Sequence, residues 1–106
     1  MRYRLGNLEE TVLLILMLIH EEAYGVSIRD KYIEETKHEL SLSAIHTVLR
    51  RLENKGFIES YMGGATQDRG GRRKRLYKIT RFGYGAVANI QEERTRIWGM
   101  IPKIEF

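Results

Sequence analysis

Apolar residues fill nearly every position from Val12 to Ile19. So continuous a run at helical length predicts a first helix, Leu8 to His20, buried on most sides. Asn7 is placed to cap it, with Glu10 as the reciprocal partner three positions on, and the helix dipole favours Glu9 and Glu10 in the first turn. Tyr24-Gly25 interrupts the pattern. From about Val26 to Lys37 a second helix is expected, with Ile28, Tyr32 and Ile33 on one face. After the short turn His38-Glu39-Leu40, Ser41 or Ser43 can cap a third helix that runs to Lys55. In it Ile45, Val48, Leu49 and Leu52 fall at i, i+3, i+4 and i+7, a buried stripe. The opposite side carries Ser43, His46, Thr47, Arg50, Arg51 and Asn54, and Gly56 stands where a left-handed cap closes a helix.

The period then changes. Phe57 to Tyr61 and Leu76 to Ile79 have strand character, and in the second Leu76, Lys78 and Thr80 alternate with Tyr77 and Ile79. The loop between them is rich in glycine, Gly63, Gly64, Gly70 and Gly71, and ends in four consecutive cations, Arg72 to Arg75. Thr80 can cap a last helix from Arg81 to Met100, ahead of Pro102. Within it Val87, Ile90, Arg94, Ile97 and Ile101 repeat at 3-4-3-4 spacing, a short heptad-like seam. A helix at the end of so small a domain has little core of its own to cover, so the seam predicts a two-fold dimer. Trp98 lies beside the seam, either packed in that interface or forming one wall of a site for a flat aromatic effector. The expected architecture is mainly α with a small β-hairpin wing: a winged helix-turn-helix over 1–80 and a dimerisation helix over 81–106.

Composition sharpens the reading. At 106 residues the chain makes one modest core. It has no cysteine, which rules out disulfides, thiolate metal sites and thiol nucleophiles and suits a reducing cytoplasm. The apolar run from Val12 to Ile19 is eight residues long, far below the ~20 of a membrane span, and its acidic flanks do not suit a signal peptide. Net charge is +4, but seven cations and no acids lie between Arg69 and Arg81. The rest of the chain holds 11 basic and 14 acidic residues. A cationic face on a mildly acidic body is the footprint of a polyanion binder.

Packing alone gives no reason for four adjacent cations, whereas phosphates relieve their repulsion and release counterions. Glycines at 70 and 71 let the backbone approach a groove, and Arg69 at the tip suits a narrow minor groove. An enzyme is not expected: His20, His38 and His46 fall on different elements, and no metal, nucleophile or phosphate-loop motif is present, so no cofactor is implied. The competing reading is a winged helix that binds RNA or protein. Single-strand RNA binders display aromatics on a stacking platform, and here the aromatic nearest the cations is Tyr77, which strand alternation can place in the core. Duplex DNA leads.

The ordered segments Leu5-Gly6-Asn7-Leu8-Glu9-Glu10, Glu22-Ala23-Tyr24-Gly25-Val26-Ser27-Ile28, Leu49 through Ile58, and Arg69 through Thr80 with Gly83 resemble the PadR family of winged helix-turn-helix regulators. The likeness runs through roughly the first 85 residues. It implies a bacterial repressor-like homodimer whose third helix reads DNA, whose wing holds phosphate or minor groove, and whose single C-terminal helix dimerises. Family members respond to phenolic compounds, antibiotics or stress signals. The DNA-binding residues expected here are Ser43, His46, Thr47, Arg50, Arg51, Arg69, Arg72, Arg73, Lys74 and Arg75. The dimerisation residues are Val87, Ile90, Arg94, Ile97 and Ile101, with Trp98 the effector wall. The chain departs from the family in having Ser43-Ala44 where a glycine is usual, and His46 where a tyrosine is usual. An imidazole that gains charge in acid predicts DNA affinity that varies between about pH 5.5 and 8 and is flat in His46→Gln.

Overall fold

The computed structural model describes residues 5–65 and 73–106, the side chains of 64 and 65 excepted. Four helices and one hairpin follow in the order α1 (Asn7–Ile19), α2 (Gly25–Thr36), α3 (Leu42–Asn54), β1 (Ile58–Ala65), β2 (Arg73–Ile79) and α4 (Arg81–Met100). The strands pair antiparallel, Ile58 opposite Ile79 and Tyr61 opposite Leu76, with an irregularity between Met62 and Ala65. The core gathers Val12, Leu13 and Leu16 of α1, Ile28 of α2, the Ile45–Val48–Leu49–Leu52 stripe of α3, Phe57, Ile58, Tyr77 and Val87. No described helix is long and apolar enough to cross a membrane.

Helix α1 begins one residue earlier than its pattern suggests. Gly6 rather than Asn7 is the cap residue. The Glu9 carboxylate, not that of Glu10, accepts from the Gly6 N–H at 3.0 Å. The shift has a physical reason. It lets Glu9 also receive Lys55 at 2.7 Å, and it leaves the buried Glu10 to pair with Arg94 of α4. Burial alone would raise the Glu9 carboxyl pKa. Hydrogen bonds from Lys55 and the Gly6 N–H, with the charges of Lys55 and Arg51, outweigh it and hold the group below its usual range. Helix α1 is also less enclosed than expected, because Leu14 and Leu18 are 42% and 59% exposed.

Gly25 does not break a helix; it is the first residue of α2. A Cβ there would lie 2.8 Å from Cε1 of the exposed His46 side chain, so the start of α2 passes close to α3. The Ser27 hydroxyl accepts from the Tyr24 N–H at 3.0 Å and closes the start of the helix. Ser41, not Ser43, caps α3, accepting from the Ala44 N–H at 3.0 Å. Gly56 follows with φ 82°, the left-handed turn that lets the chain leave α3 for the wing.

Thr80 joins the hairpin to α4. Its hydroxyl accepts from the Gly83 N–H at 2.9 Å and donates to the Gly56 carbonyl at 2.7 Å. Phe57 and Phe82 stack with ring centroids 5.2 Å apart. Gly83 lies against the Phe57 carbonyl so closely that a Cβ would sit 2.1 Å from its oxygen. Because that neighbour is backbone, Gly83→Ala is expected to lower stability by about 2 kcal/mol. Urea denaturation checks it, and a loss under a few tenths of a kcal/mol would refute the packing argument.

Candidate nucleic-acid interface

The exposed face of α3 and the inner face of the wing converge on one cleft of about 520 Å³. His46, Arg50 and Glu53 line it from α3, Arg73, Lys74, Arg75 and Tyr77 from β2, and Tyr24 to Val26 close one end. Four of these side chains are Lys or Arg and one is acidic, so the cleft attracts polyanions. Tyr77 forms its floor; burial pushes the phenol upward, and the ring lies in the core rather than on a stacking platform.

The hairpin strands run further than their alternation suggests. Arg73 to Arg75 belong to β2, not to the loop. Arg73 donates from Nε to the Gly63 carbonyl at 2.8 Å and from Nη2 to the Met62 carbonyl at 3.2 Å, tying its guanidinium to the opposite strand. Arg75 Nη1 donates to Ser60 Oγ at 3.0 Å. Lys74 lies over the Tyr24 ring at 4.3 Å and 3.9 Å from Glu22, with its side chain 18% exposed. Adjacent cations in the wing therefore do have partners within the protein. Each arginine keeps further N–H groups for an anion, so its direction is set before the anion arrives.

On α3, Ser43, His46, Thr47, Arg50 and Arg51 are all exposed, but they are not equivalent. Thr47 Oγ1 donates to the Ser43 carbonyl at 3.1 Å, which leaves its hydroxyl as an acceptor and its methyl for apolar contact. Arg51 faces the start of α1, close enough for its charge to act on Glu9, and does not line the cleft. Arg69 and Arg72, with Gly70 and Gly71, lie outside the described residues. The α4 seam divides. Val87 belongs to the core, Ile90 is half-buried and Arg94 is held by Glu10, while Ile97 and Ile101 are about half exposed. Trp98 is 76% exposed.

Glu53 is a cleft residue that the sequence pattern does not single out. Its Oε2 accepts from the Ser60 N–H at 3.2 Å and from Ser60 Oγ, the same hydroxyl that receives Arg75. The last turn of α3 is thus fastened to both wing strands. The one available signal was an acid three residues from Arg50 on an otherwise basic helix face. Removing a negative charge from a cleft that takes a polyanion ordinarily strengthens binding. If Glu53 instead positions the wing, Glu53→Ala lowers duplex affinity about fivefold, while Glu53→Gln, which still accepts from Ser60, does not. Improved affinity in both variants, read by fluorescence anisotropy, would reduce Glu53 to a repulsive charge.

The model of the Transcriptional regulator PadR-like family matches residues 14–89. An uncharacterized protein of Lysinibacillus sphaericus is 27% identical over 101 residues, covering 93% of this chain and 84% of the relative. Among solved structures, RosR of H. salinarum superposes with a TM-score of 0.72 at 22% identity, over 92% of this chain and 81% of that one. A PadR-like transcription factor from Bacteroides fragilis gives 0.67 at 24% identity, over 85% and 82%. A transcriptional regulator from Clostridium thermocellum gives 0.62 at 26% identity, over 89% and 90%.

Proposed function

This chain belongs to the PadR-like family of transcriptional regulators, whose members are regulators and not enzymes, and we propose that it works as a homodimeric repressor on a palindrome-like DNA operator. The observation that carries the reading is the meeting of His46 and Arg50 of α3 with Arg73 and Arg75 of the wing around one cationic cleft. In this reading α3 enters the major groove, and Ser43, His46, Thr47 and Arg50 meet base edges or the adjoining backbone. Arg50 is the side chain with the reach and fork geometry for guanine, so its loss relaxes sequence preference. Arg73, Lys74 and Arg75, with Arg69 and Arg72 beyond the described strands, hold phosphates or the minor groove. Arg51 joins them only at the outer margin of the helix.

The dimer is supported by what the protomer leaves uncovered. Ile97, Trp98, Met100 and Ile101 near the end of α4, and Leu14 and Leu18 of α1, are all more than 40% exposed. So much large apolar surface on so small a protein marks an interface. Two copies related by a two-fold axis would place their α3 helices in successive major grooves, about 34 Å apart. Trp98 then sits at the dimer centre, where a flat aromatic effector can stack and relieve repression.

The test is titration of the purified protein with the duplex from its own promoter region against an unrelated duplex, across a range of salt. Preferential binding with a steep salt slope is expected. Equal affinity for both duplexes would remove the operator, and stronger binding to single-stranded RNA at equal salt would move the reading to an RNA module.

A further inference from the structure

The wing has two faces, and only one belongs to the DNA cleft. Ser60, Arg75 and Tyr77 face α3, whereas Tyr61 and Leu76, paired across the strands, and Lys78 face the other way. Behind that second face lies a separate cavity of about 650 Å³. Its floor is Leu16 and Met17 of α1 with Leu76 and Ile79 of β2. Two tyrosines stand over the floor, Tyr61 from β1 and Tyr84 from the first turns of α4, 47% and 62% exposed. A volume of this size, with an apolar base and aromatic walls, suits a small planar molecule.

The rim settles the charge of that molecule. Glu21 and Glu22 border the cavity beside His20, and its one lysine, Lys78, already faces Glu59 at 3.3 Å and the Tyr61 ring at 5.6 Å. Glu22 shares its charge only loosely with Lys74, at 3.9 Å. Two carboxylates against one ammonium give the lining a negative balance that favours a cation, and tyrosine rings offer electron-rich faces to one. An anion would meet the two glutamates, and a neutral ring would gain nothing from them.

We infer that this cavity is a binding site for a small planar aromatic monocation, distinct from the DNA cleft and from Trp98. Such a ligand touches three parts that matter to DNA binding: both wing strands, the end of α1 and the start of α4. The wall it presses on includes the 20–24 turn, which is bonded to the wing through Tyr77 N–H to the Ala23 carbonyl at 2.8 Å. In that turn His20 (φ 63°, ψ −60°) centres a γ-turn closed by Glu21 N–H to the Ile19 carbonyl at 2.7 Å, a form rare outside glycine. An occupied cavity shifts β2 against α3 and so weakens duplex binding. This last step rests on the DNA-binding reading above; the binding site does not.

The probe is N-methylquinolinium, compared with the 2-naphthoate anion, which has a similar ring area. Methyl and amide NMR shifts on the full-length protein are expected at Leu16, Met17, Leu76, Ile79 and Tyr84. The cation should bind about tenfold more tightly than the anion, and Glu21→Gln with Glu22→Gln should narrow that gap. Tyr84→Ala removes a largely exposed side chain and should weaken the cation severalfold without unfolding the protein. Equal affinity for the anion, or shifts confined to the Trp98 indole, would overturn the site. Saturating cation should also raise the duplex Kd of the unmodified protein and not that of Tyr84→Ala. Mapped binding with an unchanged duplex Kd would overturn the coupling alone. A protein that binds no duplex with or without cation would overturn the DNA reading, and the NMR result would still decide the cavity.

Discussion

Replacing Arg73 and Arg75 together by glutamine is expected to weaken binding to every duplex, by about 1,000-fold at 0.15 M salt. The figure follows from counterion release. Each phosphate contact contributes about 0.9 to the slope of log K against log salt, and the proposed two-fold dimer, with two wings, would lose four contacts. Four contacts remove about 3.6 from the slope, and at 0.15 M that term amounts to roughly three decades. The loss should be uniform across sequences, because phosphates carry no sequence information. It should also leave the fold intact, since both side chains are exposed and their bonds reach only β1. Salt titrations of the variant on operator and unrelated duplexes check all three points. An unchanged slope would mean that the wing does not touch the backbone, whatever the affinity does. A loss on the operator alone would turn these arginines into base readers and require the hairpin to enter a groove edge-on.

The parts of this protein legible in its sequence are those governed by local rules. The α3 stripe from Ile45 to Leu52 is a matter of 3.6-residue spacing, and the structure buries it as the spacing requires. Helix α4 is bounded where Thr80 can cap and Pro102 follows, and it runs from Arg81 to Met100. Residues whose roles depend on distant partners were hidden. Nothing local says that Glu9 rather than Glu10 closes the first turn of α1; it is Glu9 that receives Lys55, the residue that ends α3. Nothing local says that Gly83 is needed for approach to the Phe57 carbonyl. The wing shows the same division. Its cations were visible as a run, but their extension of β2 depends on acceptors in β1, which the run does not contain. The clamp from Glu53 to Ser60 to Arg75 joins three elements, and a one-dimensional reading sees only an acid out of place. The seam of α4 shows the same limit. Its spacing treats Val87, Ile90, Arg94, Ile97 and Ile101 alike, yet the first lies in the core and the third is held by Glu10.

That division of the seam fixes the second large effect. Ile97→Glu with Ile101→Glu is expected to turn the proposed dimer into a monomer of 12.4 kDa with little loss of protomer stability. Both side chains are about half exposed in the protomer, so charges there cost the single chain almost nothing. Across a two-fold axis the same charges meet their own copies in an apolar interface, where unpaired carboxylates are strongly unfavourable. Val87→Glu is the contrasting change, because Val87 is 5% exposed within the protomer; it should unfold the chain rather than separate two folded ones. Operator affinity of the Ile97 and Ile101 variant should fall at least 100-fold, since two linked half-site contacts become independent. Weak binding to any duplex at low salt should persist, because each protomer keeps its own cleft. Analytical ultracentrifugation and anisotropy on the same samples separate the alternatives. A variant that remains a dimer would place the interface elsewhere, with Leu14 and Leu18 of α1 among the exposed apolar residues left to form it. A monomer that binds its operator undiminished would show that one protomer reads the whole site, and the palindrome would have to be given up.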